Sequence, residues 1–121
     1  MTELRGALDE AVLSELRVSV GDDPEFLAEL IDDFLEDAPT QVAALREAVA
    51  SGDATSARRA AHTLKGTSRT FGAGELASLC QDAETAADSG DLGAAHSRLD
   101  GIEREWNRVR AELLAVRDGR D

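Results

Sequence analysis

The chain has few of the residues that would cross-link it or stiffen its loops. Its 121 residues include one cysteine, two prolines, one tryptophan, three phenylalanines and no tyrosine. A single cysteine excludes an internal disulfide and a cysteine-based metal cluster. A chain of this length forms one domain that can bury a core without such links. Because 42% of the residues are apolar but only 3% are aromatic, we expect helices packed through Leu, Val and Ala.

Long apolar runs and an excess of basic charge are also missing. No apolar run approaches the roughly 20 residues that span a bilayer. The first residues, Met1-Thr2-Glu3-Leu4-Arg5, lack the basic-then-apolar layout of a signal peptide, so we expect a cytoplasmic protein. The 13 Lys and Arg are outnumbered by 25 Asp and Glu, which gives a net charge of −12. Binding to nucleic acid requires a basic surface, so nucleic acid is excluded as a partner.

The residues that are present follow helical spacing along the whole chain, which predicts an all-α fold. We expect a short leading helix at about 9–18 and longer helices at about 24–50, 54–70, 75–88 and 91–117. Short joints between long amphipathic helices indicate antiparallel neighbours. The predicted architecture is therefore a single domain over residues 1–121, an up-down-up-down four-helix bundle with a short N-terminal cap helix.

Details of the pattern refine two of these helices. Pro39 interrupts the helix at 24–50 by removing a backbone donor, but the apolar stripe resumes in phase, so we expect one bent helix. The stripe from Leu92 to Val116 keeps three–four spacing and predicts one continuous helix with Trp106 as a core anchor. Cys80 lies on an apolar stripe and is interpreted as a small core residue. His96 lies beside a stripe without a basic cluster and is interpreted as a surface histidine.

The most informative stretch surrounds His62. A core-facing stripe runs through Ala57, Ala61, Leu64, Ser68 and Phe71. His62 is one residue off this stripe, so its imidazole should face solvent. Residues three, four and seven positions away share that face, and these are Arg58, Lys65, Gly66 and Arg69.

This face has the chemistry to hold a phosphoryl group. An exposed imidazole with an ordinary pKa of about 6.5 is largely uncharged and nucleophilic near neutrality, and Lys and Arg stabilise phosphoryl oxygens. Gly66 costs about 1 kcal/mol against Ala in a helix interior, which clearance for a partner surface would explain. The alternative is a solvated face with an incidental histidine and a glycine used for close packing.

Basic residues are concentrated around the same histidine. Residues 53–72 contain four basic side chains (Arg58, Arg59, Lys65 and Arg69) and a single acid, Asp53. A basic island in an acidic chain attracts a partner whose docking face is negative. Chance clustering is the alternative.

The string His62-Thr63-Leu64-Lys65-Gly66-Thr67-Ser68, with Gly72 ten residues after the histidine, resembles the histidine-containing phosphotransfer (HPt) domain. The resemblance extends over Asp23–Leu27 and Leu76–Glu84. Thr67, Arg69 and Phe71 depart from the usual pattern, and Arg69 could alter how a partner docks.

The resemblance implies a phosphocarrier without a nucleotide-binding site of its own, not an enzyme. His62 would be the phosphoacceptor, with Lys65, Arg58 and Arg69 near the phosphoryl oxygens and Gly66 leaving room for the partner. The implied partners are response-regulator receiver domains, a hybrid histidine kinase, or both. No cofactor or metal site is expected in this chain, and the Mg²⁺ belongs to the receiver. A monomer is expected.

Alternatives stay open at this point. The chain is either such a carrier, a non-catalytic helical interaction module, or the phosphoacceptor domain of a kinase assembled from separate chains. The resemblance also implies that the leading helix contributes Leu13 and Leu16 to the partner surface. Closing the core is an equal alternative for these two leucines.

Overall fold

The computed structural model describes residues 6–119, and this part of the chain is helical with no strand. The six helices are α1 (Glu10–Ser19), α2 (Pro24–Ser51), α3 (Ala54–Thr70), α4 (Gly74–Asp88), α5 (Leu92–His96) and α6 (Leu99–Arg117). The predicted all-α class is confirmed. The stretch Met1–Arg5 lies outside the described residues, so the expectations about the N-terminus and about the outer limits of the domain stay predictions.

Aspartates begin most of these helices. Asp9, Asp23, Asp53 and Asp91 each accept hydrogen bonds from backbone N–H groups of the first turn, which satisfies donors that have no partner within the helix. After Asp23, Pro24 takes the first helical position, where its missing N–H is harmless. At the other end of α2, Gly52 adopts a left-handed conformation with φ +76° and stops the helix.

The long helices form a closed ring, in which α2 packs against α3 and α6, and α4 packs against the same two helices. Aromatic side chains fill its centre, since the ring of Phe34 lies 5.0 Å from that of Phe71 and 5.1 Å from that of Trp106. The four-helix bundle with a cap helix is therefore confirmed, and Trp106 is a core residue. Such a closed core gives α3 a rigid base.

The expected continuous helix at 91–117 is wrong in one respect, because the chain breaks it into α5 and α6. Ser97 Oγ donates to Ala94 O at 2.7 Å, and Arg98 N–H bonds to Ala95 O at 3.1 Å, only three residues back. A serine side chain that competes for a backbone carbonyl disturbs a helix in this way. Ser97 and Arg98 keep right-handed backbone angles, so the stripe stays in phase across the break. Pro39, in contrast, lies inside the single helix α2, as expected.

The cap helix is tied to the bundle through its backbone. Asp9 N–H donates to Gly72 O at 2.8 Å, and the Glu112 carboxylate accepts from Ala7 N–H at 2.9 Å and from Leu8 N–H at 3.2 Å. Gly72 has φ +77°, and a Cβ there would lie 3.0 Å from Asp9 O, so glycine allows this approach. These contacts fix α1 over one end of the bundle.

The two leucines of the cap helix take different positions. Leu13 is 0% exposed and belongs to the core, whereas Leu16 is half-buried and packs against it. Leu13 therefore closes the core, and the expectation that it faces a partner is wrong for this structure.

Truncating Leu13 tests this assignment. Leu13→Ala is expected to lower the free energy of unfolding by about 2–4 kcal/mol, because it leaves a cavity in a packed site. Leu16→Ala is the control and should lose less than half as much. Urea unfolding followed by circular dichroism measures both. Unchanged stability in Leu13→Ala, combined with weaker binding to a partner, would return Leu13 to the partner surface.

Two other sequence interpretations can be compared with the structure. Burial, and to a lesser degree the Glu84 carboxylate, raises the pKa of the Cys80 thiol to about 12; the thiol is fully buried, which confirms a core role. Within residues 6–119, no helix is both long and apolar enough to cross a bilayer. Cytoplasmic localisation stays a prediction.

Candidate functional site

His62 stands on the outer side of α3, and its side chain is 62% exposed. The stripe beneath it is buried as predicted, with Ala61 at 0% and Leu64 at 1% exposure. The imidazole is also anchored, since its Nδ1 lies 2.8 Å from Glu84 Oε2 on α4. The ring is therefore accessible to a partner and held at one nitrogen.

The contact with Glu84 decides which nitrogen is free. An ionised carboxylate only accepts hydrogen bonds, so the contact assigns the proton to Nδ1 and leaves the lone pair of a neutral ring on Nε2. Burial alone would raise the pKa of the Glu84 carboxyl, but hydrogen bonds from Lys65 and His62 and the charges of these residues outweigh burial. The pKa of Glu84 consequently lies below its ordinary value of 4.5, and the carboxylate is ionised at neutral pH.

The expectation that Lys65 shares the exposed face is wrong. The residue is 9% exposed, and its Nζ lies 2.6 Å from Glu84 Oε1 and donates to Gln81 Oε1 at 3.0 Å. A mostly buried ammonium group needs such partners because burial without them is strongly unfavourable. Lys65 and His62 thus share one carboxylate, and Lys65 points toward α4.

The two arginines predicted near the phosphoryl group lie in different places. Arg58 is half-buried, and its Nε is 4.0 Å from Asp88 Oδ1 on α4. Arg69 is exposed and lines a cleft of about 460 Å³ together with Asp9 and Glu75. The structure therefore connects Lys65 to His62 through Glu84 and directs Arg58 toward α4. It places Arg69 two turns away, in a cleft that Asp9 and Glu75 also line.

Gly66 is exposed, and a Cβ built on it would meet nothing within 4 Å. The alternative that this glycine serves close packing inside the domain is therefore excluded. Its absent side chain leaves open surface next to the imidazole, one turn along α3.

Substitutions at Gly66 should separate stability from function. Gly66→Ala is expected to stabilise the domain by up to about 1 kcal/mol, since alanine is the better helix former and nothing obstructs it. Gly66→Arg should leave the helical content nearly unchanged yet slow phosphoryl transfer sharply by obstructing a partner. Gly101→Ala in α6, where the new Cβ would make an ordinary 3.7 Å contact with Leu79, is the control that leaves transfer untouched. Equal transfer rates in Gly66→Arg and the wild type would refute the clearance role.

Sequence reasoning did not assign a role to Glu84 or Gln81. Both follow directly after a buried residue of α4, Ala83 and Cys80 respectively, and so lie at the edge of its apolar stripe. The available signal was Lys65 itself, because it lies beside the buried stripe of α3 and a buried lysine demands an acceptor on the neighbouring helix. Gln81 is oriented in turn by a hydrogen bond from its Nε2 to Thr85 Oγ1 at 3.0 Å.

His96, the second histidine, is exposed at the end of α5. In the described part of the chain, the only ion pair recorded for a histidine is that of His62 with Glu84. His96 has no comparable arrangement and serves as an internal control.

Comparisons with known proteins agree with this geometry. The Hpt domain profile matches residues 29–118. The structure is similar to that of histidine-containing phosphotransfer protein B (HptB) from Pseudomonas aeruginosa PAO1, with a TM-score of 0.85 and 34% identity over 93% of this chain and 95% of that one. The fold also resembles histidine-containing phosphotransfer protein ZmHP2 from maize, with a TM-score of 0.81 and 21% identity over 97% and 89% of the two chains. No curated protein sequence matches.

The family profile matches most of the chain, and a relative with 34% identity is covered almost end to end. Both findings agree with an exposed, anchored histidine on a four-helix bundle. The chain belongs to the Hpt domain family.

Proposed function

We propose that this chain is a phosphocarrier in a two-component phosphorelay and that His62 carries the phosphoryl group. Histidine phosphotransfer is the function of the family to which the chain belongs. The observation that carries the assignment to His62 is its imidazole, which is 62% exposed and bound at Nδ1 by a carboxylate. A nucleophile needs an accessible lone pair in a fixed orientation, and Nε2 of His62 meets both requirements.

The transfer step follows from this arrangement. The Nε2 lone pair attacks the phosphorus of a phosphoaspartate on a receiver domain. A P–N bond forms as the P–O bond to the aspartate breaks, and the bonding electrons leave with the aspartate carboxylate. Nδ1 keeps its proton, so the phosphorylated ring is positively charged. The reverse sequence delivers the phosphoryl group to a second aspartate.

Glu84 supports this step by holding the ring and by facing its new positive charge. The carboxylate is placed before the reaction, so little reorganisation is needed when charge develops. Lys65 keeps Glu84 ionised and oriented. In the unphosphorylated protein, Lys65 Nζ therefore acts through Glu84 and does not point at open solvent.

The partner would be a receiver domain, free or part of a hybrid kinase, whose negative docking face meets the basic island around His62. The Mg²⁺ that phosphoryl transfer requires would belong to that acidic receiver pocket. Large apolar side chains exposed on the described surface, Val18 at 68% and Phe26 at 45%, offer additional contact area at the α1–α2 end. A monomer would suffice for this role.

Label transfer tests the proposal. The protein is incubated with receivers carrying ³²P-phosphoaspartate, and the products are separated after quenching with EDTA. Label that appears on this chain and is stable in alkali but lost in acid supports a phosphohistidine. If none of the receivers from the same genome transfers label, the carrier role is wrong and a non-catalytic interaction module becomes the better description.

A further inference from the structure

The cations around His62 fall on two sides of the imidazole. On one side, Arg58 and Lys65 are paired with Asp88 and Glu84 of α4. At about 100° per residue, these two positions lie about 40° and 60° from His62 around the helix axis, toward α4. Their charges are therefore already matched by carboxylates before any phosphoryl group arrives.

On the other side lie Arg59 and Gly66, about 60° and 40° from His62 by the same spacing. Arg59 is exposed, and no ion pair within 4.0 Å is recorded for it among residues 6–119. The charge of Arg59 acts on Asp53, whose carboxylate is bound by the Ser56 hydroxyl and N–H. Those hydrogen bonds, with a smaller contribution from Arg59, lower the pKa of Asp53.

The free nitrogen of the imidazole faces away from Glu84. Glu84 holds Nδ1 toward α4 at 2.8 Å, and Nε2 lies across the ring from that contact. Residues three apart on a helix have Cβ atoms about 5–6 Å apart, which is within the reach of an arginine side chain. Gly66 adds no side chain that would fill the space between.

We propose that Arg59 is the cation that binds the phosphoryl oxygens on Nε2 of His62. This proposal rests on the function proposed above. It replaces the expectation that Arg58, Lys65 and Arg69 share this role. Guanidinium donors suit phosphoryl oxygens because two N–H groups bind two oxygens together. The other exposed residues on this second side of α3 include Thr63, Gly66 and Thr70, which carry no charge.

Phosphorus NMR tests the proposal without a receiver. The protein is phosphorylated with phosphoramidate, which gives its phosphoryl group to Nε2 and releases ammonia. The parent chain carries His96→Ala, because phosphoramidate also reaches the exposed His96. The ³¹P chemical shift is then followed against pH in this parent chain and with Arg59→Gln, Arg59→Lys or the matched control Arg58→Gln added to it. A unit charge about 4 Å away in water, the separation expected for a bound guanidinium group, lowers the second phosphoryl pKa by about 0.7 unit.

We expect Arg59→Gln to raise that pKa by about 0.7 unit at low salt. Arg59→Lys should restore most of the shift, and Arg58→Gln should change the pKa by less than half as much. The difference should disappear in 1 M salt, where the Debye length is about 3 Å. A shift in Arg58→Gln with none in Arg59→Gln overturns the proposal. If the parent chain takes up no phosphoryl group, or if His62→Gln in the same background still does, the proposed function fails as well. A phosphorylated parent chain in which Arg59→Gln leaves the phosphoryl pKa unchanged contradicts only the role of Arg59.

Discussion

His62→Gln is expected to abolish phosphorylation of the chain by a phosphorylated receiver. Glutamine occupies similar space and still reaches Glu84, but its amide has no nucleophilic nitrogen. Because the side chain is 62% exposed, the substitution should leave the unfolding midpoint nearly unchanged. The measurement is the initial rate of ³²P transfer, which should fall below the detection limit, at least 1000-fold under the wild type.

His96→Ala is the matched control, since it removes the other histidine of the chain from an equally exposed position. Its labelling should equal that of the wild type. Label that persists in His62→Gln and disappears in His96→Ala would overturn the site assignment, whereas loss in both variants would indicate that unfolding is responsible.

Glu84→Ala is expected to lower both stability and transfer. Lys65, whose side chain is only 11% exposed, loses the carboxylate that balances its charge. Removing one partner of a mostly buried ion pair costs several kcal/mol, and Gln81 still accepts one hydrogen bond, so we expect a loss of about 2–3 kcal/mol. The His62 ring also loses its anchor, and transfer should slow by about tenfold or more. Urea unfolding and rapid-quench kinetics measure the two effects.

A double variant separates the two roles of Glu84. In Glu84→Gln with Lys65→Met, no charge is left unpaired, so most of the lost stability should return. Transfer should remain slow, because a neutral amide does not face the positive phosphorylated ring with a negative charge. Full recovery of transfer in this double variant would mean that Glu84 acts only through stability.

The pH dependence of stability gives an independent check on Glu84. Its pKa in the folded chain is below the ordinary value of 4.5, so the unfolded chain binds the proton more readily than the folded one. The stabilisation is therefore complete above the unfolded pKa, near 4.5, and is lost as the pH falls through the lower folded pKa. Glu84→Gln should show a shallower decline of the unfolding free energy below about pH 4.5 than the wild type. Identical slopes would contradict the ion-pair assignment.

The sequence was sufficient for the parts of the fold that depend on periodicity. The stripe through Ala61 and Leu64 predicted the buried side of α3 and hence the exposure of His62. The sequence also predicts the start of α2 at its aspartate–proline pair, and Asp23 caps the helix as expected. In-phase stripes could not reveal the break at Ser97–Arg98, because both residues keep helical backbone angles.

Contacts between side chains on different helices are harder to predict from the sequence. The apolar stripe of α3, taken alone, predicts that Lys65 faces solvent. Its burial depends on α4, whose Glu84 lies 19 residues further along the chain and becomes a neighbour only when the helices pack. Arg59 belongs to the basic island, but the sequence of one helix does not show which of its cations already have partners on a neighbouring helix.

The attachment of His62 at a single nitrogen has a consequence for the direction of signalling. Glu84 holds Nδ1 and leaves Nε2 free, so a phosphoryl group on Nε2 would not have to displace this contact, and loading and unloading would start from the same ring orientation. By microscopic reversibility, transfer from a given receiver aspartate to His62 and transfer back to it pass through the same transition state. The net flow of phosphoryl groups would be set by the relative abundance and phosphorylation of the receivers that the carrier meets. One carrier could then both phosphorylate and dephosphorylate the receivers of a pathway.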